Sequence, residues 1–161
     1  NPVMFFEHKA LYRSQKEMVS SDSYHLELGK ANILQEGTSL SIVTYGLGVI
    51  WMKEFIENNK DFKEYIELID LRTLLPWDKD TVLNSIKKTN KLLIINEDNI
   101  TGSISAEISA YITENAFEYL DAPIIRLGSL DTPIPFSAKL EKEIYFPINK
   151  IKKSIQKLLE Y

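Results

Sequence analysis

The sequence predicts one alternating α/β domain, and three of its features support that class. Short apolar runs alternate with longer amphipathic segments, which is the pattern of strands joined by crossover helices. The central apolar runs are nearly continuous in Ile, Leu and Val, as expected for strands covered on both faces. The length of 161 residues suits one core that buries roughly 68–70% of the unfolded surface. Because no repeat or long linker divides the chain, residues 1–161 are expected to form a single domain.

Six apolar runs are predicted to be strands: residues 3–6, 30–35, 40–45, 65–71, 92–96 and 123–127. The first lies within residues 1–28, which we interpret as a lead-in strand followed by a connecting segment. Glu36 and Gly37 are expected to turn the second run into the third. Pro133 and Pro135 fix φ and remove backbone donors, so they predict an ordered, non-helical loop after the last strand.

Helices are predicted where apolar side chains recur with a period of 3.6 residues. One helix follows Gly46, a short one is capped by Asp78 or Asp80, a third begins near Ile104, and the last begins near Asn149 after Pro147. The side chains expected to face the core are Leu47, Ile50, Trp51, Phe55, Ile56, Val82, Leu83, Ile86, Ile104, Ile108, Tyr111, Ile112, Ile151, Ile155, Leu158 and Leu159.

The composition excludes several kinds of function. There is no cysteine, which removes thiol nucleophiles, zinc ribbons and iron–sulfur clusters. A net charge of -4 gives no electrostatic reason to expect binding to nucleic acid or an acidic membrane. The sequence has no apolar run of about 18 residues and no signal-peptide pattern. It opens at Asn1-Pro2 without an initiator Met, so we expect a piece of a larger polypeptide; ordinary processing is the alternative.

The turn at Gly46 and Gly48 lies between a predicted strand and a predicted helix, where backbone amides can bind an anion. It lacks the third glycine of a dinucleotide fingerprint, because position 51 is Trp, and it has no P-loop Lys. A tight turn that lets the helix pack on the sheet is the favoured interpretation. A regulatory anion site is the weaker one.

Charged residues lie at the C-terminal ends of two predicted strands, Asp70 and Arg72 at one and Glu97 and Asp98 at the other. Ligands of open α/β sheets bind at such carboxyl ends. Because no nucleophile accompanies these carboxylates, salt bridges or solvated charges are the favoured interpretation.

The remaining charged candidates are expected to be structural or exposed. His8 and His25 are isolated histidines, the first interpreted as structural or surface-exposed and the second as exposed or interfacial. Solvated helix faces account for the basic clusters, with docking of an acidic partner as the alternative; these are Lys87, Lys88, Lys150, Lys152 and Lys153.

Tyr161 ends the sequence with an aromatic ring beside a carboxylate. A carboxylate can form a charge-assisted pair with Arg or Lys of a partner, while the ring supplies apolar area. A frayed tail is the alternative.

Five sequence motifs in a fixed order are more specific than the general pattern of an α/β domain. They are FFEHKALYR (residues 5–13), IDLRTLLPWD (69–78), SIKKT (85–89), APIIR (122–126) and DTPIP (131–135). Together they resemble the C-terminal half of the beta subunit of thiamine-diphosphate-dependent 2-oxoacid dehydrogenases. The Leu-Pro-Trp-Asp motif most resembles that of the branched-chain (2-oxoisovalerate) dehydrogenases, with the pyruvate dehydrogenases next. The resemblance covers essentially the whole chain.

The resemblance implies a transketolase C-terminal-like fold, a three-layer α/β/α arrangement whose mixed, mostly parallel sheet has about five strands and one antiparallel edge strand. It implies an oxidoreductase of two alpha and two beta subunits that decarboxylates a 2-oxoacid and acylates the lipoyl group of an acyltransferase. It places this enzyme in the cytoplasm of bacteria or the mitochondrial matrix of eukaryotes. Thiamine diphosphate and Mg are implied to bind outside this segment, so we assign no catalytic, cofactor-binding or metal-binding residue here.

The implied work of the segment is assembly: contact with the alpha subunit and a second beta subunit, and docking of the acyltransferase's subunit-binding domain. Family beta subunits commonly end in an aromatic residue whose carboxylate meets that basic domain, and Tyr161 matches this pattern. The loop with Asp131, Thr132, Pro133 and Pro135 is expected to shape a subunit contact. The isolated segment is expected to be inactive and to self-associate. The alternatives are the same domain of a pyruvate or acetoin dehydrogenase, a regulatory anion-binding domain, or the C-terminal domain of transketolase or deoxyxylulose-phosphate synthase.

Overall fold

Five strands form one mixed sheet in this computed structural model, which describes residues 1–145 and 148–161. The strands are β1 (Asn32–Gln35), β2 (Leu40–Thr44), β3 (Ile66–Asp70), β4 (Leu92–Asn99) and β5 (Ile125–Ser129). Their order across the sheet is β1-β3-β2-β4-β5. β1 is antiparallel to β3, whereas the other pairs are parallel. The predicted mostly parallel sheet with one antiparallel edge strand is confirmed.

Six α-helices accompany this sheet in the described part of the chain. They are α1 (Leu11–Ser14), α2 (Leu47–Asn58), α3 (Lys79–Thr89), α4 (Ile104–Ala116), α5 (Ala138–Tyr145) and α6 (Ile148–Leu159), with short 3₁₀ turns at Lys60–Phe62 and Phe117–Tyr119. α2 and α6 share one apolar cluster with the sheet, and α3 and α4 share the other. Within residues 1–145 and 148–161, no helix is long and apolar enough to pass through a bilayer.

Alternation along the central strand divides the core between the two layers. In β2, Leu40 and Ile42 face the α2 and α6 layer, whereas Val43 faces α3 and α4. All five residues of β2 are buried, including its two polar ones. The Ser41 hydroxyl lies 2.5 Å from that of Ser85 and 2.6 Å from that of Thr89, so this polar group on the α3 side keeps hydrogen-bond partners.

The structure corrects the prediction of a lead-in strand. Residues 3–6 form no strand, and their side chains are 67–87% exposed. A strand is stable only when a neighbour accepts and donates its backbone hydrogen bonds, and this run has none, because both edges of the sheet are β1 and β5. An apolar run therefore does not by itself make a strand.

The second predicted strand is present as β1, but it does not pair with the third predicted strand, which is β2. The chain does turn at Gly37, yet β1 pairs with β3, so β3 lies between β1 and β2. Two helices, α1 and α5, were not predicted. Pro147, expected to separate the loop region from the last helix, lies outside the described residues.

Candidate functional site

The carboxyl edge of the sheet between β2 and β4 is where the strand order reverses. The crossover from β2 leads to β3 on one side, and the crossover from β4 leads to β5 on the other. Open α/β sheets bind ligands at such a switch point, because the diverging connections leave a crevice there. The residues that follow or end these strands are therefore the first candidates for a site.

The turn at the end of β2 is shaped by two glycines. Gly46 has φ 54° and ψ -124°, a conformation that disfavours residues with a β-carbon, and it lets the chain reverse abruptly into α2. Gly48 lies so close to Thr44 that a β-carbon would meet the Thr44 hydroxyl. The Gly48 and Val49 amides donate to the carbonyls of Tyr45 and Gly46 at 3.1 and 3.2 Å. These contacts favour the packing interpretation; binding of an anion by this turn stays a prediction.

Acidic groups from β4 surround the end of β2. Burial, followed by the negative charges of Asp98 and Glu97, raises the pKa of Tyr45 to about 12. Burial and the same two carboxylates raise the pKa of Tyr145, which also hydrogen-bonds Glu97. Both phenols thus stay neutral at physiological pH, and this edge carries a negative potential. Such a potential favours cations over the anion that the glycine turn suggested.

Ser129 ties three elements together beside these carboxylates. Its hydroxyl lies 2.6 Å from the carbonyl oxygen of Glu97 on β4 and 2.9 Å from that of Tyr145 at the end of α5. The fully buried Asn96 donates its side-chain amide to the carbonyl of Asp98 at 2.9 Å. These hydrogen bonds hold the backbone at the end of β4 in place at Glu97 and Asp98.

His8 joins this edge from the N-terminal segment. Its Nε2 lies 2.8 Å from Oε2 of Glu97, and each of the two side chains is 23% exposed. The interpretation of His8 as a structural group is consistent with this ion pair. His25 is exposed, which agrees with its expected position.

Asp70 and Arg72 are joined through the backbone. The Arg72 amide donates to Oδ1 of Asp70 at 3.0 Å, and Arg72 itself adopts φ 58° with an exposed side chain. Burial raises the pKa of the Asp70 carboxyl, even though this amide and the charges of Arg72 and Lys53 oppose the shift. The carboxylate thus serves to shape the turn after β3.

The predicted loop after the last strand is non-helical at residues 131–135, as expected. Asp131 accepts hydrogen bonds from the Thr101 amide at 3.2 Å and the Thr101 hydroxyl at 2.5 Å, and these lower the pKa of its carboxyl. Beside this contact is a shallow depression of about 440 Å³, lined by Asn99, Thr101, Asp131, Thr132 and Pro133. The loop is thus ordered against the start of α4; its role in a subunit contact stays a prediction.

Tyr161 follows α6 and is 60% exposed. The helix before it is fixed by Ile151, Ile155 and Leu158, all buried against the sheet. Its outward lysines (Lys150, Lys152 and Lys153) are exposed, as their interpretation as a solvated face requires. The ring is therefore presented at the end of a firmly packed helix.

Lys88 differs from its expected role on a solvated helix face. It forms an ion pair with Glu67, a β3 residue only 1% exposed, and lies 3.0 Å from Glu36. Lys87 lies over the ring of Tyr119, 5.4 Å from its centroid. A carboxylate within the apolar run of β3 was a usable signal, because a buried charge needs a partner.

Sequence reasoning did not identify Tyr45, Tyr145 or Ser129 as members of the switch-point cluster. Tyr45 carried a usable signal, since it is the last residue of a predicted strand. Tyr145 carried none, because it lies on α5, a helix that the sequence did not predict. Ser129 ends β5, two residues beyond the predicted strand.

Comparisons with known proteins agree with this architecture. The sequence profile described as "Transketolase, C-terminal domain" matches residues 29–151. A split-gene transketolase, solved as an inactive beta4 tetramer, superposes with a TM-score of 0.74 at 20% identity, covering 90% of this chain and 46% of that one. At that identity the likeness concerns the fold alone.

Relatives of known name match along most or all of the chain. It is 40% identical over 162 residues to 2-oxoisovalerate dehydrogenase subunit beta 2, mitochondrial, of Arabidopsis thaliana, covering 100% of this chain and 44% of that protein. It is 38% identical over 164 residues to 2-oxoisovalerate dehydrogenase subunit beta of Bacillus subtilis, covering 100% and 50%. It is 41% identical over 137 residues to pyruvate dehydrogenase E1 component subunit beta of Mycoplasma pneumoniae, covering 85% and 42%.

The chain thus spans about half the length of these relatives, which come from bacteria and from a eukaryotic mitochondrion. The family profile covers most of the chain, and the observed five-stranded mixed sheet is the fold that the resemblance implied. The chain belongs to the transketolase C-terminal domain family.

Proposed function

We propose that this chain is the assembly domain of the beta subunit of a thiamine-diphosphate-dependent 2-oxoacid dehydrogenase, of the 2-oxoisovalerate type. The observation that carries the proposal is the match to two 2-oxoisovalerate dehydrogenase beta subunits along 100% of the chain. Pyruvate dehydrogenase E1 component beta subunits match at similar identity, one of them, from Bacillus subtilis, along 100% of the chain. The experiment below therefore has to decide between 2-oxoisovalerate and pyruvate as the substrate. An acetoin dehydrogenase beta subunit is a further alternative.

In this proposal, thiamine diphosphate and Mg²⁺ bind elsewhere in the complete enzyme. The described residues do not fit them, because Glu97 and Asp98 at the switch point repel a diphosphate. Residues 1–145 and 148–161 also contain no cluster of three or more His, Asp or Glu side chains placed to hold a metal ion. We therefore derive no catalytic step through the cofactor in this chain.

The proposed work of the domain is contact with neighbouring subunits. Exposed apolar side chains near the end of the sheet support this role; they are Leu130, Ile134, Phe136, Leu140 and Ile148. Asp131, Thr132 and Pro133, from the loop after β5, line the shallow depression described above. The alpha subunit and a second beta subunit are the proposed partners.

Docking of the acyltransferase is proposed to use Tyr161. Its exposed ring follows a helix whose inner face is buried, so the backbone that leads to it is already ordered before binding. A carboxylate at this position would pair with a basic subunit-binding domain through charge-assisted hydrogen bonds. The same ring would add apolar area at the centre of the contact.

The test uses the complete beta subunit assembled with its alpha subunit. Activity is expected with 2-oxoisovalerate in preference to pyruvate, while the isolated chain shows no decarboxylation and no heat of binding with thiamine diphosphate and Mg²⁺. Tight cofactor binding by the isolated chain would overturn the assembly role. A preference for pyruvate would reject only the branched-chain assignment.

Docking is tested by deleting Tyr161 in the same assembly and measuring affinity for the subunit-binding domain by calorimetry. A loss of at least about tenfold is expected, corresponding to about 1.4 kcal/mol. Phe117→Ala is the matched control, since Phe117 is also an exposed aromatic residue but lies on a 3₁₀ turn elsewhere. Unchanged affinity after the deletion would reject the docking role and leave the assembly role standing.

A further inference from the structure

The N-terminal segment touches the switch-point edge through one side chain. Residues 1–7, 9 and 10 are exposed, whereas His8 is partly buried and places Nε2 2.8 Å from Oε2 of Glu97. The Leu11 amide donates to the His8 carbonyl at 3.0 Å, so the histidine also begins the turn that leads into α1. The segment thus inserts His8 into the edge while its neighbours remain in solvent.

The surroundings of His8 are suited to a cation. Glu97 and Asp98 lie on β4, Tyr45 follows β2, and Tyr145 lies at the end of α5. Glu141 on α5 adds a further carboxylate that acts on Tyr145. Burial is the main cause of the raised pKa values of both tyrosines, and the carboxylates add to the rise. Carboxylates at one edge attract a cationic group and repel an anionic one.

The position of this contact is that of a ligand. Diverging crossovers leave a crevice between the carboxyl ends of β2 and β4, which is where α/β sheets of this kind bind small molecules. Here the His8 imidazole of the same polypeptide contacts Glu97 at this edge. The N-terminal segment therefore competes with any diffusible molecule for Glu97.

We propose that residues 1–14 form a strap, and that His8 fills in cis a switch-point site on Glu97 that accepts a cationic nitrogen group. Lifting the strap frees Glu97, which lies next to the exposed Asp98, for a ligand of that chemistry. Removing the imidazole should therefore create a site that free imidazolium can enter. The proposal does not depend on the identity of the parent enzyme or its substrate.

The experiment follows backbone amide resonances of the chain during titration with imidazolium chloride below neutral pH, against sodium chloride at the same ionic strength. In His8→Ala, saturable shifts are expected at Tyr45, Glu97 and Asp98. In the unmodified chain and in the double variant His8→Ala/Glu97→Gln, binding should be at least about tenfold weaker. His25→Ala is the matched control, because His25 lies in the same segment but is exposed.

Two results would overturn the proposal. One is the absence of saturable shifts at these residues in a folded His8→Ala variant. The other is equal imidazolium affinity of the unmodified chain and His8→Ala. A second measurement needs no variant: a nuclear Overhauser contact between the His8 ring and the Glu97 side chain is expected in the unmodified chain, and its absence would also contradict the strap.

Discussion

Gly48 shows how a single hydrogen atom in place of a side chain sets the position of a helix. The Thr44 hydroxyl donates to the carbonyl of Ile95 at 2.8 Å, which binds the end of β2 to β4. A β-carbon on Gly48 would meet that hydroxyl and would lie 3.4 Å from the same carbonyl. Because the hydroxyl is held in place, α2 can begin this close to the sheet only with glycine at position 48.

Gly48→Ala is therefore expected to destabilise the chain by about 1–3 kcal/mol, as overpacking of a buried contact does. The helix propensity of Ala would by itself favour the substitution by about 1 kcal/mol, so the sign of the effect is diagnostic. Urea unfolding measures the free energy difference. The double variant Gly48→Ala/Thr44→Ala removes the clash and is expected to cost less than the sum of the two single changes; strict additivity would contradict this explanation.

Glu67 and Lys88 form an ion pair that exists only in the folded chain. From the sequence, Lys88 belongs to a basic pair on a helix face, and nothing nearby in the chain contradicts that role. Strand β3 places Glu67 in the buried layer beneath α3, where a carboxylate requires a cation. Residues 21 positions apart thus become partners only when α3 packs on the sheet.

At the scale of elements, Asp78 connects the start of α3 to the edge strand β1. Its carboxylate accepts hydrogen bonds from the Thr81 amide and the Ala31 amide, both at 3.0 Å, and from the Thr81 hydroxyl at 2.8 Å. Asp78 is only 5% exposed. Of the two caps that the sequence allowed, Asp78 and Asp80, the structure uses Asp78 because it faces both elements.

Asp78→Ala is expected to destabilise the chain by about 1–2 kcal/mol, since it removes a helix cap and leaves the Ala31 amide unpaired. Denaturant unfolding measures this cost. Asp80→Ala is the matched control, because Asp80 lies in the first turn of the same helix and is exposed. An equal loss in both variants would contradict the assignment of the cap.

The same carboxylate predicts a pH dependence. Burial raises the pKa of Asp78, but the hydrogen bonds from Thr81 and Ala31 outweigh burial and leave it below its usual value. Its stabilising contribution is thus present above the unfolded-state pKa and is lost as the pH falls through the folded-state pKa. The stability gap between the unmodified chain and Asp78→Asn should shrink on acidification. A gap that grows towards low pH would show the opposite sign and reject this cause.

At the scale of the whole molecule, the core lies between the sheet and helices that begin after residue 28. Residues 1–28 include no buried residue, whereas α6 alone contributes Ile151, Ile155 and Leu158 to the core. The family profile also begins at residue 29. The N-terminal segment is therefore attached to a folding unit that does not depend on it.

Deletion of residues 1–28 is expected to change the free energy of unfolding by less than about 1 kcal/mol, because it removes surface contacts only. Deletion of residues 148–161 is the control and is expected to prevent folding. Each large buried apolar side chain that is lost costs about 2–5 kcal/mol, against a total stability of about 5–15 kcal/mol. Thermal unfolding followed by circular dichroism measures both; a large loss on the first deletion would place residues 1–28 in the core.

The sequence by itself determined the fold class, the approximate positions of the five strands, the apolar faces of α3, α4 and α6, and the family. On α2 the prediction was partly wrong, because the core includes Met52 and not Ile50. The correct predictions follow from local periodicity and from motifs in a fixed order, which neighbouring residues establish without reference to the rest of the chain. Residues 3–6 mark the limit of that information, since they are as apolar as a strand but have no neighbour with which to pair.

Only the tertiary structure decided that β1 pairs with β3, that Lys88 joins Glu67, and that His8, Glu97, Tyr45 and Tyr145 meet at one edge. These groups come from segments separated by tens of residues, and their proximity depends on which strands are neighbours. Strand order is set by the packing of helices on both faces, a long-range balance of burial that no local pattern records.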